Sequence, residues 1–331
     1  MFLLLSAPAL AGDVLLLGAS YVDRNDLEIL AENLLDEGSG ADRDVEALCA
    51  GGLTWAKHVD LVSTDETWAT TIVDTPWNTV FMHEFADVAD NAPDSEEFLA
   101  SVEAGKQLGT WFAGNGADVF VWIAWGDIDG GPDYDDYTGM QDGLRRGAEA
   151  QVAGMATVGV NAYIVPIGEA FRAVWAGETD PLAEGTLFYR LYDTDGEHPS
   201  TTGSYLAALV IYTSLTGRDP AGLSAPRDVL ADDLPRLQAA ASAAVTETAA
   251  AGYVYPWQGS DTGDTGTVDT GTVDTGTVDT GGGDSGATEM PPNEEVDTSD
   301  QRGCACDNGG AAVAAPMLLG LLALRRRRLG A

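Results

Sequence analysis

"LLLGASYVDRNDLEIL", residues 15–30, changes its backbone period within one short stretch. Leu15 to Leu17 continue an apolar run that starts at Val14, as a strand covered on both faces requires. Gly18 permits a tight turn, and Ser20 follows it. Asn25 then stands three residues before Glu28, a spacing that predicts a helix start closed by a capping box. Leu27, Leu30 and Leu34 fall on one face of that helix. A strand passing through a glycine turn into a helix is the building unit of a parallel α/β sheet.

The same alternation continues outward. Short apolar runs predict further strands over 45–48, 78–85, 119–125 and 160–165. Longer amphipathic stretches predict helices over 95–112, 140–158, 201–215 and 231–250. Five strands with helices between them predict an α/β fold, a three-layer α/β/α sandwich around a five-stranded parallel sheet. In such sheets the chemistry gathers at the carboxyl ends of the strands.

Four features stand at those ends. Ser20 follows the first strand, and Gly51 and Gly52 follow the second. His83 and Glu84 end the third. Asp195 and His198 lie in "DTDGEHPSTTGSYLAALVIY", residues 193–212, just before a helical run. A serine hydroxyl is a poor nucleophile unless an imidazole takes its proton. That imidazole needs a carboxylate to fix its tautomer and stabilise its charge. Bare backbone amides, such as a glycine pair presents, can stabilise the oxyanion of an acyl-transfer intermediate.

These blocks resemble the SGNH (GDSL-like) hydrolase superfamily over residues 13–223. "LLLGASY" is similar to its first block, "GG" at 51–52 to its second, and "DGEHPS" to its last. The stretch "LYDTDGEHPSTTGSYLAALVIYTSLTGRDPAGL", residues 191–223, is especially similar to a bacterial branch of that superfamily. The resemblance implies a flavodoxin-like SGNH fold, Ser20 as nucleophile, His198 as general base and Asp195 as its partner. It implies an oxyanion hole from the Ser20 and Gly52 amides. Pro199 would end the loop and Ser200 cap the next helix. Two positions depart from the pattern. Ala19 stands where the superfamily usually has Asp or Asn. "VFMHEF" replaces the third block, whose Asn usually donates to the oxyanion. The similar branch often has Gln-Glu there, which aligns His83 with the Gln and implies His83 as a substitute donor.

Other residues read more plainly. His58, in "LTWAKH", reads as a packing or surface histidine, and Trp122 and Trp125 as core or cleft wall. Cys49 lies in an apolar stretch and reads as a buried free thiol. The acidic loop "GDIDGGPDYDDY", residues 126–137, reads as a rim loop, with calcium binding by its aspartates the alternative. Its spacing matches no EF-hand, and no zinc spacing or phosphate loop occurs in the chain. The expected site therefore needs no metal and no cofactor. A formal charge of -37, with Lys57 and Lys106 the only lysines among 331 residues, repels a phosphate backbone and argues against nucleic-acid partners.

Both ends differ from the middle. Residues 1–11, "MFLLLSAPALA", read as a short signal peptide with a small-residue cleavage site but no basic start. The domain is expected over 12–257. Residues 258–302 form a Thr, Asp and Gly tract in which "TVDTG" repeats three times from Thr267 to Gly281, and read as a disordered linker. Residues 303–331 place Cys304 and Cys306 before an apolar run, 311–324, and four arginines, 325–328. That order resembles the MYXO-CTERM sorting tails of myxobacterial surface proteins. It implies a secreted protein anchored at the cell surface or outer membrane, touching the membrane only through this tail.

The expectation is an exported, surface-anchored serine hydrolase acting on esters, with a small-molecule or glycan ester as its partner. The alternative is an inactive SGNH scaffold serving as a surface binding protein, which the altered third block keeps open. Nothing in the sequence sets an oligomeric state.

Overall fold

The computed structural model describes residues 14–40 and 42–259. Its sheet consists of β1 (Val14–Gly18), β2 (Val45–Cys49), β3 (Thr79–Met82), β4 (Asp118–Trp122) and β5 (Ala162–Val165). All pair in parallel, in the order β2-β1-β3-β4-β5. This is the flavodoxin-like order, in which the chain reverses direction across the sheet between β1 and β3. The three-layer α/β/α architecture expected from the apolar pattern is the one observed.

Seven helices of eight residues or more accompany the sheet among the described residues. They are α1 (Leu27–Ser39), α2 (Trp55–Val62), α3 (Glu96–Gly114), α4 (Tyr137–Ala156), α5 (Ile167–Ala176), α6 (Thr201–Thr216) and α7 (Leu234–Ala250). Strand alternation divides the core into two halves. Val14, Leu16, Phe81 and Phe120 face one layer with α1, α5, α6 and α7. Leu15, Leu17, Val80, Met82, Val119 and Val121 face the other, where α2, α3 and α4 pack. The central strands β1 and β3 are buried on both faces, which is why they read as apolar runs, whereas β2 at the edge exposes Glu46. α6 is buried along its whole length from Thr202 to Ser214, enclosed by α1, α5 and α7, so it carries no polar face.

Local chemistry sets the boundaries. Ser95 caps α3, accepting from the Phe98 N–H, and Asp136 caps α4, accepting from the Gly139 N–H. The Asp136 cap starts α4 a turn earlier than the apolar pattern does. β3 stops at Met82 rather than 85; His83 N still donates to Leu17 O, and the His83 and Glu84 side chains turn into the buried interior. α2, which Thr54 caps by accepting from the Lys57 N–H, and α5 are short amphipathic helices that were not expected.

The capping box expected at Asn25 does not form. Asn25 and Asp26 both adopt left-handed conformations (φ 59° and 50°), and α1 begins after them with no side-chain cap. Asn25 is used elsewhere, as shown below. At the other end the folded chain runs through a short turn at Pro256–Gly259, past the expected boundary at 257. Trp257 stacks on Tyr255 and donates to Ser214 O at 3.0 Å, while Gln258 Oε1 accepts from the Tyr255 N–H. The signal-peptide reading, the repeat tract from 260 onward and the sorting tail lie outside the described residues.

Candidate active site

Ser20 opens a one-turn helix, Ser20–Asp23, directly after β1. Ala19 O accepts from the Val22 and Asp23 amides, which folds the turn tightly. As the first helical residue, Ser20 has no intrahelical partner for its own N–H. Among the described residues that amide has no acceptor, and the same holds for the Gly52 N–H. Gly52 sits at φ 68°, a left-handed conformation that favours glycine, with open space where a side chain would be.

Ser20 Oγ donates to His198 Nε2 at 2.9 Å. His198 Nδ1 donates to Asp195 Oδ2 at 2.8 Å. The three side chains are 178 and three residues apart in sequence and form one continuous hydrogen-bonded line. Asp195 Oδ1 also accepts from the Glu197 and His198 amides, at 3.0 and 2.9 Å. Partial burial works to raise the Asp195 pKa, but those amides and the imidazole outweigh it and hold the carboxylate below its ordinary range.

The histidine loop is braced from several directions. Ser200 N donates to Leu191 O, and Asp193 N to His198 O, which closes residues 191–200 into a loop pinned at both stems. Ile128 N donates to Gly196 O and Trp125 Nε1 to Glu197 O. Ser200 caps α6 as expected, accepting from the Thr202 and Gly203 amides. Asn25 supplies a brace that the sequence reading assigned to another purpose. Its side-chain amide donates to Pro199 O and to Ser204 Oγ, both at 2.9 Å. The left-handed backbone at Asn25 lets the side chain reach across from the serine turn to the histidine loop.

Beneath Ser20 lies a stack of rings. Tyr21 is sandwiched between Trp125, at 4.3 Å between centroids, and His83, at 5.1 Å, and it presents a perpendicular face to His198. Trp122 and Trp125 are buried in this stack, in line with a core or wall role. His83 is only 1% exposed, and its Nε2 is covered with no partner. Its Nδ1 accepts from the Ala19 N–H at 3.4 Å. His83, expected as an oxyanion donor, lies instead against the serine turn with its Nε2 covered.

Two buried groups were undervalued in the sequence. Glu84 Oε1 accepts from the Trp55 N–H at 2.9 Å and the Phe85 N–H at 2.8 Å. Its Oε2 accepts from Ser101 Oγ at 2.5 Å, and Gln151 donates to that same hydroxyl. Glu84 thus secures the start of α2, the element that follows the Gly51–Gly52 turn. Burial pushes its pKa up to about 7, against the lowering effect of those hydrogen bonds. His58 is fully buried, donating from Nε2 to Gly18 O at 3.1 Å. The apolar neighbourhood of "LTWAKH" signals burial but not this carbonyl.

The acidic loop borders the site. Burial, then the carboxylates of Glu197, Asp87, Asp129 and Asp195, push the Asp127 pKa up to about 6. Asp136 is spent on the α4 cap, and Asp129 Oδ1 accepts from the Gly131 N–H. Among the described residues no three His, Cys, Asp or Glu side chains cluster as metal ligands do. Cys49, at the end of β2, is half-buried rather than buried. Burial and then the Asp23 and Glu28 carboxylates push its thiol up to about 12.

No family model and no curated protein matches the chain. Solved structures do. A DUF4886 family protein from Bacteroides uniformis superposes with a TM-score of 0.53 at 16% identity, over 71% of this chain and 94% of that one. A lipase/acylhydrolase from Enterococcus faecalis gives 0.45 at 14%, over 62% and 96%. An acetyl xylan esterase gives 0.44 at 13%, over 61% and 99%. The likeness is one of fold.

Proposed function

We propose that the chain is a serine hydrolase that cleaves carboxylic esters, with Ser20 as nucleophile, His198 as general base and Asp195 as its orienting carboxylate. The observation that carries this reading is the unbroken Ser20–His198–Asp195 line, with its two bonds of 2.9 and 2.8 Å. Ser20 Oγ attacks the acyl carbon as His198 Nε2 takes its proton. Asp195 stabilises the imidazolium that results. The free Ser20 and Gly52 amides receive the oxyanion. The intermediate collapses as His198 returns the proton to the leaving alcohol. Water then repeats the sequence on the acyl-enzyme and frees the acid. No step needs a metal or a cofactor.

The substrate we propose is a small ester or an acylated carbohydrate. The acidic rim at Asp87, Asp127, Asp195 and Glu197 disfavours an anionic group beside the scissile bond. Export and surface anchoring through residues 303–331 belong to the same proposal. Proteolysis of intact cells tests them, since a protein protected from external protease and confined to the cytosol would exclude both. One observation favours the second reading, a binding scaffold: with His83 sealed, β3 supplies no side-chain donor to the oxyanion. Labelling the whole protein with a fluorophosphonate separates the two. A single labelled serine at position 20 supports the hydrolase; an unlabelled protein that turns over no short acyl ester supports the scaffold.

A further inference from the structure

The peptide group joining Gly18 to Ala19, one residue before the nucleophile, is held at both ends by imidazoles. Its oxygen, Gly18 O, accepts from His58 Nε2 at 3.1 Å. Its N–H, on Ala19, donates to His83 Nδ1 at 3.4 Å. His58 comes from α2 on one side, and His83 from the end of β3 on the other. Both rings are buried, at 0% and 1% exposure.

Each ring has a single tautomer available for this task. Trp68 Nε1 donates to His58 Nδ1 at 2.9 Å, so the His58 proton sits on Nε2 and points at Gly18 O. His83 must leave Nδ1 bare to accept from Ala19, which places its proton on Nε2. Burial pulls the two pKa values down to about 4 and about 3, so both rings stay neutral. Gly18 makes the close approach feasible. A Cβ there would lie 2.8 Å from the His83 Cβ and 2.8 Å from Val22 Cγ2. The His83 N–H in turn donates to Leu17 O at 2.8 Å, fixing its backbone to β1.

We propose that His58 and His83 are positioning residues that clamp the Gly18–Ala19 peptide plane and so aim the Ser20 amide and hydroxyl. This rests on the hydrolase reading above. Among the described residues the next peptide group is held at Ala19 O alone, by the Val22 and Asp23 amides, which leaves the Ser20 N–H free to serve an oxyanion. Rotation of the clamped plane would swing that N–H and Oγ together. Neither histidine touches substrate or moves a proton.

The test uses the full chain and the geometry of the bonds. Glutamine at 58 keeps a donor near the Nε2 position, and asparagine at 83 keeps an acceptor near Nδ1. Leucine at either site removes the bond. His58→Leu and His83→Leu are expected to lower kcat and the fluorophosphonate labelling rate by about 100-fold, the scale of a misplaced reacting group, with KM within about two-fold. His58→Gln and His83→Asn are expected to recover most of that loss. Because the chain has three histidines, nitrogen-15 labelling of histidine alone gives three resolvable rings in wild type. Those of His58 and His83 should be neutral at pH 7, with the proton on Nε2. Wild type that labels while its folded leucine variants label equally fast overturns the clamp alone. A proton on Nδ1 of either ring also overturns it, even where the leucine variants fail to fold. Wild type that takes up no label overturns the hydrolase reading, and the clamp's catalytic purpose falls with it.

Discussion

Asn25 donates to Pro199 O at 2.9 Å, across 174 residues of chain, and ties the serine turn to the histidine loop. The same amide reaches Ser204 Oγ, so both of its protons are used. Asn25→Gly keeps the left-handed backbone and removes both bonds. Asn25→Ala removes the bonds and adds strain at φ 59°. Glycine is expected to lower stability by about 1–2 kcal/mol and alanine by about 1 kcal/mol more, read by denaturant unfolding. In both, ester turnover is expected to fall more than KM rises. Turnover unchanged in the glycine variant would remove Asn25 from the site.

The hydroxyl–imidazole–carboxylate line predicts a graded series. Ser20→Ala and His198→Ala should abolish labelling and turnover. Asp195→Asn should leave slow labelling and lower kcat by about 10,000-fold, because the base survives in the wrong tautomer. Equal rates for Asp195→Asn and wild type would break the assignment of the carboxylate.

Gly52 separates the oxyanion role from packing. A Cβ at this position meets open space, so Gly52→Ala disturbs only the backbone at φ 68°. Stability should fall by about 1 kcal/mol. If the displaced amide served the oxyanion, kcat should fall by about 100- to 1,000-fold. A kinetic loss no larger than the stability loss implies would place the oxyanion elsewhere.

Glu84 predicts a pH dependence of stability. Its folded pKa of about 7 lies above the ordinary 4.5, so the native state holds this proton after the unfolded chain has released it. The contribution is fully present below pH 4.5, declines between about pH 4.5 and 7, and is absent above. The difference amounts to about 3 kcal/mol. Asp90 and Asp127, both raised to about 6, act in the same sense over a narrower window. Thermal melts of Glu84→Gln across pH 4.5 to 7 should show a shallower decline than wild type. An identical slope would show that Glu84 ionises freely in the folded protein.

The C-terminal edge of the domain predicts a sharp contrast. Trp257→Ala loses the stack on Tyr255 and the bond to Ser214 O, and should lower stability by about 2 kcal/mol, or about 4–8 °C in Tm. Removing residues 260–331 should leave Tm unchanged. A large loss on that truncation would put part of the core beyond Gly259.

The sheet and its layers were legible in the sequence, and so were the three residues that the proposed function uses. A short apolar run such as 14–17, ended by a glycine turn, fits a strand buried on both faces, and parallel order follows from the helices between such runs. Ser20, Asp195 and His198 were legible because each stands in a short motif whose neighbours are local: a glycine turn before the serine, and an Asp three residues before a His. Tertiary structure decided what those motifs lean on. Asn25 carries the local signature of a helix cap, yet its partners are 174 and 179 residues away, and two long-range hydrogen bonds outcompeted one local cap. His83 aligned with an oxyanion donor, yet it is buried against Tyr21, where its Nδ1 accepts from the Ala19 N–H and its Nε2 is covered. The positions of Glu84 and His58 were visible but their partners were not, because a buried polar group is defined by which distant N–H or carbonyl it satisfies. A one-dimensional sequence records periodicity and local spacing; it does not record which backbone groups are left unpaired when the layers close.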